Sequence, residues 1–213
     1  MNFNISCDLY SRFSKVCHFL PPSVPEGVAE LIKCIRLENI NGKSYAIVTN
    51  QKIGCIEYLG ETTEPDGFMH LVVDETLMNQ SESEKTYGST MNIVNIEAAG
   101  VASLTTMLGF SYAGNASAMV ENHIMSDWRK WAHIEEVKKA KGALYFDLDY
   151  LSSMAKASPT GRIYFAEKID VDKPIPVRDI YNDNWVGVFI GKPNPNEKDV
   201  PAGGAKAPEW WVK

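Results

Sequence analysis

Residues Ala143–Phe165 read ALYFDLDYLSSMAKASPTGRIYF, and Ile5–Val16 read ISCDLYSRFSKV. Laid beneath Phe146–Ala157, the earlier stretch puts Asp8 on Asp149, Ser11 on Ser152 and Lys15 on Lys156. The apolar positions agree as well, Tyr10 with Leu151, Phe13 with Met154 and Val16 with Ala157. In both, an alternating run meets an Asp suited to accept a backbone N–H at a helix start. A short segment with apolar residues three and four apart follows, the spacing of an amphipathic helix.

Working outward, each helix is followed by strand-like segments. LIKCIRLENI, an Asn41–Gly42 turn, KSYAIVT and IGCIEYLG follow the first, and GRIYFAEKI, KPIPVRD and WVGVFIG follow the last. Asn-Gly between alternating runs signals a hairpin, because both residues tolerate positive φ. A weaker copy lies between them: FMHLVVDETLMNQSESEKTYG runs strand, Asp74, polar helix, and MNIVNIEAAG, VASLTTM and LGFSYAG follow as strands. The chain therefore predicts three βαβββ units, at about 1–60, 68–118 and 143–191. ENHIMSDWRKWAHIEEVKKAKG supplies an extra helix at 121–141. The fold class is α+β, mostly antiparallel sheets with helices on one face.

The 213 residues suffice for one large domain or two small ones. A hydrophobic content of 45% and a charged content of 23% are those of a soluble globular protein. No apolar run reaches the roughly 20 residues of a membrane-spanning helix, and MNFNISCDLY lacks the basic and apolar blocks of a secretory signal. The expectation is a cytoplasmic protein without a membrane partner. Cys7, Cys17, Cys34 and Cys55 form no CxxC pair and are expected as free buried thiols.

A net charge of −6 argues against indiscriminate nucleic-acid binding over the whole surface. The charge is segregated, however: Glu57–Glu97 holds nine acidic residues and one basic, whereas Arg129–Lys141 holds five basic and two acidic. Such segregation permits a locally basic face on an acidic protein.

Candidate chemistry is sparse. His18, His70, His123 and His133 lack metal-ligand spacing with one another or with the cysteines. Asp147 and Asp149 suit a strand position and a helix cap better than a metal pair. Glu136 and Lys138 echo a nuclease fragment, but they sit in a helical pattern without a carboxylate partner. GxGxxG, GxxxxGK[ST] and GxSxG motifs are absent. No catalytic residue, cofactor or metal is expected.

The order and residues of MNFNISCDLYSRFSKVCHFLP, IRLENINGKSYAIVTNQKIGCIEY and FDLDYLSSMAKASPTGRIYFAEKIDVDKPIPVRD resemble the DNA sliding clamps, above all the bacterial beta clamp of the replicative polymerase. In that family a domain is a pair of βαβββ halves, the strands form the outer surface, and the helices line a hole for duplex DNA. A complete protomer has three domains and six halves; this chain carries about three. The resemblance implies a clamp-like domain at 1–120, a partial second one at 121–191 with its bridging helix, and a Pro/Gly-rich tail at 192–213. It implies a non-enzymatic processivity factor in DNA replication or repair, a homo-oligomer joined through sheet edges. Its partners would be duplex DNA, bound without regard to sequence, and a DNA polymerase or other replication protein. The reduced size suggests a phage, prophage or plasmid source. The alternative is a clamp-derived interaction module, such as an inhibitor of host replication or defence, without DNA encirclement.

Under the resemblance the DNA-facing residues are Arg12 and Lys15 on the first helix, Arg129, Lys130, Lys138 and Lys139 (with Lys141) on the bridging helix, and Lys156 and Arg162 at the last. Lys and Arg on a helix face give salt-sensitive, sequence-independent attraction to phosphate. Glu75, Glu82 and Glu84 on the middle helix run against a uniformly basic lining. Trp210 and Trp211 close the tail and suit either a partner's groove or this protein's own core.

Overall fold

Alternation sets the first element. Phe3 and Ile5 are buried while Asn2, Asn4 and Ser6 are exposed, the period of a half-buried strand. This strand, β1 (Asn2–Ser6), runs straight into helix α1 (Cys7–His18). The structure, a computed structural model, describes residues 2–18, 33–96, 99–105, 111–116, 128–129, 148–165 and 174–189. The Ser6 hydroxyl accepts from the Leu9 N–H at 3.0 Å and caps α1. That corrects the expected capping by Asp8, which lies inside the first turn and instead accepts from Arg12 Nε at 2.6 Å.

A meander follows, of β2 (Cys34–Ile40), β3 (Lys43–Thr49) and β4 (Ile53–Glu61). Asn41 and Gly42 both have positive φ, 51° and 72°, which matches the twist of a two-residue hairpin. The second unit has β5 (Gly67–Val72), α2 (Glu75–Glu84), a 3-10 turn at Lys85–Tyr87, then β6 (Thr90–Ile96), β7 (Ala99–Thr105) and β8 (Ser111–Ala116). Here the Asp does cap its helix, Asp74 Oδ1 accepting from Leu77 N at 2.9 Å. The third unit has α3 (Leu148–Ala157), β9 (Ile163–Phe165), β10 (Ile175–Asp179) and β11 (Trp185–Phe189). Of the extra helix at 121–141 only Trp128 and Arg129, both helical, are described.

The described strands form two sheets, β1-β6-β7-β8 and β5-β2-β3-β4-β11-β10-β9. Their ladders are antiparallel. The first two units exchange strands reciprocally: β1, ahead of α1, pairs with β6, and β5, ahead of α2, pairs with β2. The third unit joins through β4 and β11, with Cys55 opposite Gly187.

Period-two burial then divides the seven-stranded sheet into two faces. Ile35, Leu37, Ala46, Val48, Ile53 and Cys55 pack with Leu9, Tyr10, Phe13 and Val16 of α1. Met154, Ala157, Val177 and Trp185 of the third unit enter the same core. Full burial of each Val, Leu, Ile, Phe or Met among them contributes about 1.5–3 kcal/mol. Tyr45, Ile47 and Ile56 face the other way and meet Trp128. None of the four cysteines is in a disulfide and all are buried; burial pushes the Cys7 thiol up to about 11, which keeps it protonated and unreactive. Among the described residues no helix is long and apolar enough to cross a membrane.

Candidate nucleic-acid interface

The helices share one side of the sheets, with α1 between α2 and α3. Cys7 N donates to Ser89 O at 2.9 Å, just beyond α2, and the Asp74 N–H donates to Tyr10 Oη at 3.1 Å. On the other flank Arg12 Nη1 donates to Ala157 O, the end of α3, at 2.6 Å. Neighbours on both sides leave α1 only Lys15 and His18 exposed, with Asp8 half-buried.

The structure places Arg12 away from the expected DNA-facing position. It is 7% exposed and donates to Asp8, to Glu57 and to Ala157 O. The physical reason is its place one turn after Asp8, on the flank of α1 that α3 covers. Burial pushes the Glu57 carboxyl up, and the Arg12 charge opposes that push.

Lys15 does reach the outer surface, where it pairs with Glu82 of α2 at 2.8 Å. Glu82 also accepts from Ser11 Oγ and Lys85 Nζ. Partial burial works to raise this carboxyl, but the hydrogen bonds from Lys15, Lys85 and Ser11 hold it at about 2. Lys156 is exposed near the end of α3. Arg162, also exposed, donates to Tyr181 Oη at 3.4 Å. Its guanidinium lies 5.8 Å from the Tyr181 ring centre.

Arg129 stands on a different face of the sheet from the helices. Its neighbour Trp128 packs on Ile47, Ile56 and Tyr45, the sheet face turned away from α1. Trp128 Nε1 donates to Glu38 at 2.8 Å, and Arg129 pairs with the same carboxylate. Arg36 Nε holds the other side of it at 2.8 Å. Buried Glu38 thus anchors this segment to the sheet face opposite α1, so Arg129 does not share a face with Lys15 and Lys156. Nothing in the charge pattern distinguishes the two faces; Glu38 and Arg36, two apart on β2, are the signal that would have found it. Lys130, Lys138, Lys139, Lys141, Trp210 and Trp211 lie outside the described residues, as do His123, His133, Asp147, Glu136 and the segment expected as the leading strand of the third unit.

The three described helices carry Asp8, Glu75, Glu82, Glu84 and Asp149 against Arg12, Lys15 and Lys156, so the layer is mixed in charge and not basic. Among the described residues no group of three or more His, Cys, Asp or Glu is placed to hold a metal ion. His70 is buried beside Arg36.

Repeated βαβββ units, strand exchange and a helix layer backed by antiparallel sheet define the sliding-clamp fold, and this chain has it. More particularly, the likeness is to bacterial clamps. A DNA polymerase sliding clamp from Pseudomonas aeruginosa, solved with a ligand, matches with a TM-score of 0.58 at 14% identity, over 89% of this chain and 65% of that one. The DNA polymerase III subunit beta of the same organism gives 0.58 at 12% identity, over 89% and 66%. That of Borrelia burgdorferi, in complex with a natural product, gives 0.57 at 8% identity, over 89% and 63%. This chain spans just under two thirds of the length of those clamps. No protein-family model matches the sequence, and no curated protein matches it.

Proposed function

We propose that this protein is a non-enzymatic, clamp-like processivity factor that encircles or contacts duplex DNA without reading its sequence, in replication or repair. One observation carries the reading: the helices of two βαβββ units and of a third, described from its helix onward, lie on one side of the sheets, with the third unit joined to the first through β4–β11 pairing. In the arrangement the resemblance implies, that helix layer faces the duplex. Lys15, Lys156 and Arg162 are then its described cationic contacts, joined by Lys130, Lys138 and Lys139 if the bridging segment reaches DNA. We divide the chain into a two-unit domain at 1–120, a partial domain at 121–191 and a tail at 192–213, with oligomers formed through sheet edges. A replicative polymerase or other replication protein is the expected protein partner, and Trp210 and Trp211 are candidate anchors for it.

The test is the salt dependence of binding to short duplexes of unrelated sequence. Replacing Lys15, Lys156 and Arg162 together by Gln should weaken binding equally on all of them and flatten the slope of affinity against salt. An unchanged slope contradicts the assignment. Arg12 is left intact, because its removal would disturb the core.

A specific observation favours a second reading, a clamp-derived module that binds replication or defence proteins without encircling DNA. Arg12 is internal, Lys15 is paired with Glu82, and acidic residues outnumber basic ones on the three helices. Such a surface suits a basic protein partner better than phosphate. Loss of all duplex affinity at low salt would favour it.

A further inference from the structure

Helix α3 and strand β9 leave an apolar groove open in the third unit. Adding 141 to a residue number on α1 gives its counterpart on α3, as Asp8 gives Asp149. On α1 the face of Cys7, Tyr10, Ser11 and Ser14 is wholly buried, with the second unit lying over it. The counterparts on α3 are Leu148, Leu151, Ser152 and Ala155. Leu148 is 77% exposed, Ser152 is exposed, and the other two are only partly buried. With Ile163 and Phe165 of β9 they line an open groove of about 690 Å³. Cavities that take ligand-sized groups run from about 300 to 1,000 Å³.

The chain leaves its last described strand against this groove. Phe189, the final residue of β11, stacks on Phe165 of the groove wall, with ring centres 6.1 Å apart and planes 20° apart. Trp210 and Trp211 follow in the sequence after PNPNEKDVPAGGAKAPE. At ~3.3 Å per residue the stretch from Phe189 to Trp210 spans up to about 70 Å. The ten residues of α3 cover only ~15 Å, so reach is ample. Charge agrees with it. Arg162 lines the groove, and among the described residues it meets Tyr181 and no carboxylate. Glu209 directly precedes the two tryptophans.

We propose that residues 207–213 of the same chain dock in the α3–β9 groove, Trp210 and Trp211 against its leucines and Phe165, and Glu209 beside Arg162. Tryptophan suits such a seat, since an aromatic side chain buries about 150–250 Å² and dominates the energetics of the contact it makes. Tethered at Phe189, the segment meets the groove at an effective concentration on the order of mM, an advantage that a separate molecule lacks. Docking covers the exposed Leu148 and withholds both tryptophans from the replication partner proposed for them above. The contact is then self-inhibitory, and that partner must displace it. This consequence rests on the proposed function, but docking itself needs neither DNA nor a polymerase and is tested without them.

The full chain carrying Ser152→Cys and Val212→Cys, oxidised at several dilutions, tests it. A disulfide within one chain should form, with the same yield at every dilution. Lys52→Cys with Val212→Cys is the control: Lys52 is exposed and precedes Ile53, which pairs with Phe189, so an undocked tail reaches it at least as easily. Its yield should be roughly tenfold lower, and adding Trp210→Ala and Trp211→Ala should bring the Ser152 pair down to the same level. Without added cysteines, the two alanines should speed amide exchange in α3 and β9 about fivefold and leave α1 unchanged. Equal yields from the two cysteine pairs, or a yield indifferent to the tryptophans, overturn the proposal. So does a disulfide formed only between chains, or unchanged exchange in α3 and β9.

Discussion

Arg12 and Glu57 meet through two parallel hydrogen bonds, Nη1 to Oε2 at 3.0 Å and Nη2 to Oε1 at 3.2 Å. The same guanidinium reaches Asp8 and Ala157 O, so one side chain of α1 ties together β4 and the end of α3. A cation expected to face DNA is thus a joint between the first and third units. The bidentate geometry suits arginine and would not be reproduced by lysine.

Arg12→Met should therefore cost about 3–5 kcal/mol of stability, because it strands a buried carboxylate. The double variant Arg12→Met/Glu57→Leu should recover most of that loss, since the buried Glu57 charge is removed with its partner and the Asp8 carboxylate, also freed, is 42% exposed. Urea denaturation measures both, and equal losses in the single and double variants would contradict the assignment.

Acid should loosen the contact between α1 and α2. Glu82 is held at about 2, against an ordinary value of 4.5, by Lys15, Lys85 and Ser11 in spite of partial burial. A carboxyl lowered on folding stabilises the native state above its unfolded value, and that contribution fades as pH falls through the folded one. The stability advantage of wild type over Glu82→Gln should accordingly be full at neutral pH and shrink between pH 4.5 and 2. Denaturation midpoints across that range provide the check, and an advantage that grows on acidification would contradict it.

Gly187 is required by close packing at the junction of β4 and β11. A Cβ there would lie 2.6 Å from Trp185 Cη2 and 2.9 Å from Met154 Sδ, and Trp185 and Met154 are both buried. Gly187→Ala should cost roughly 1–3 kcal/mol through overpacking, read as a lower thermal midpoint. An unshifted midpoint would mean that the third unit sits more loosely on the first than the structure shows.

Arg129 and the helix layer occupy opposite sides of the sheet. Arg129→Gln should leave duplex affinity and its salt slope unchanged while it loosens the Glu38 anchor of Trp128, and Trp128→Ala should cost about 3–5 kcal/mol as a buried aromatic removed. Duplex titrations and denaturation curves together decide the point. A lowered salt slope in Arg129→Gln would return that residue to the DNA face.

Much of the fold was legible because it is written in local periodicity. Phe3 and Ile5 announce a strand, Asn41–Gly42 a hairpin, and Tyr10, Phe13 and Val16 the buried stripe of a helix, and all were found so. The site was less legible, since a sequence shows which face of a helix is polar but not what lies against it. Arg12 lies on the polar side of α1, yet α3 and β4 cover it. Lys15 is exposed as expected, but its partner Glu82 is 67 residues away in sequence. Arg129 is helical, and only the distant Glu38 tells which side of the sheet its segment meets. The capping of α1 turns on a single residue: Ser6, just ahead of the helix, caps it, and the more conspicuous Asp8 does not.

Retention on closed circular duplex DNA, compared with the same DNA after linearisation, tests the central claim most directly. Protein held on the circle should run off once the circle is cut, at a salt concentration that suppresses ordinary electrostatic binding. Equal retention on both forms, or none on either, would contradict a clamp that holds DNA by its topology.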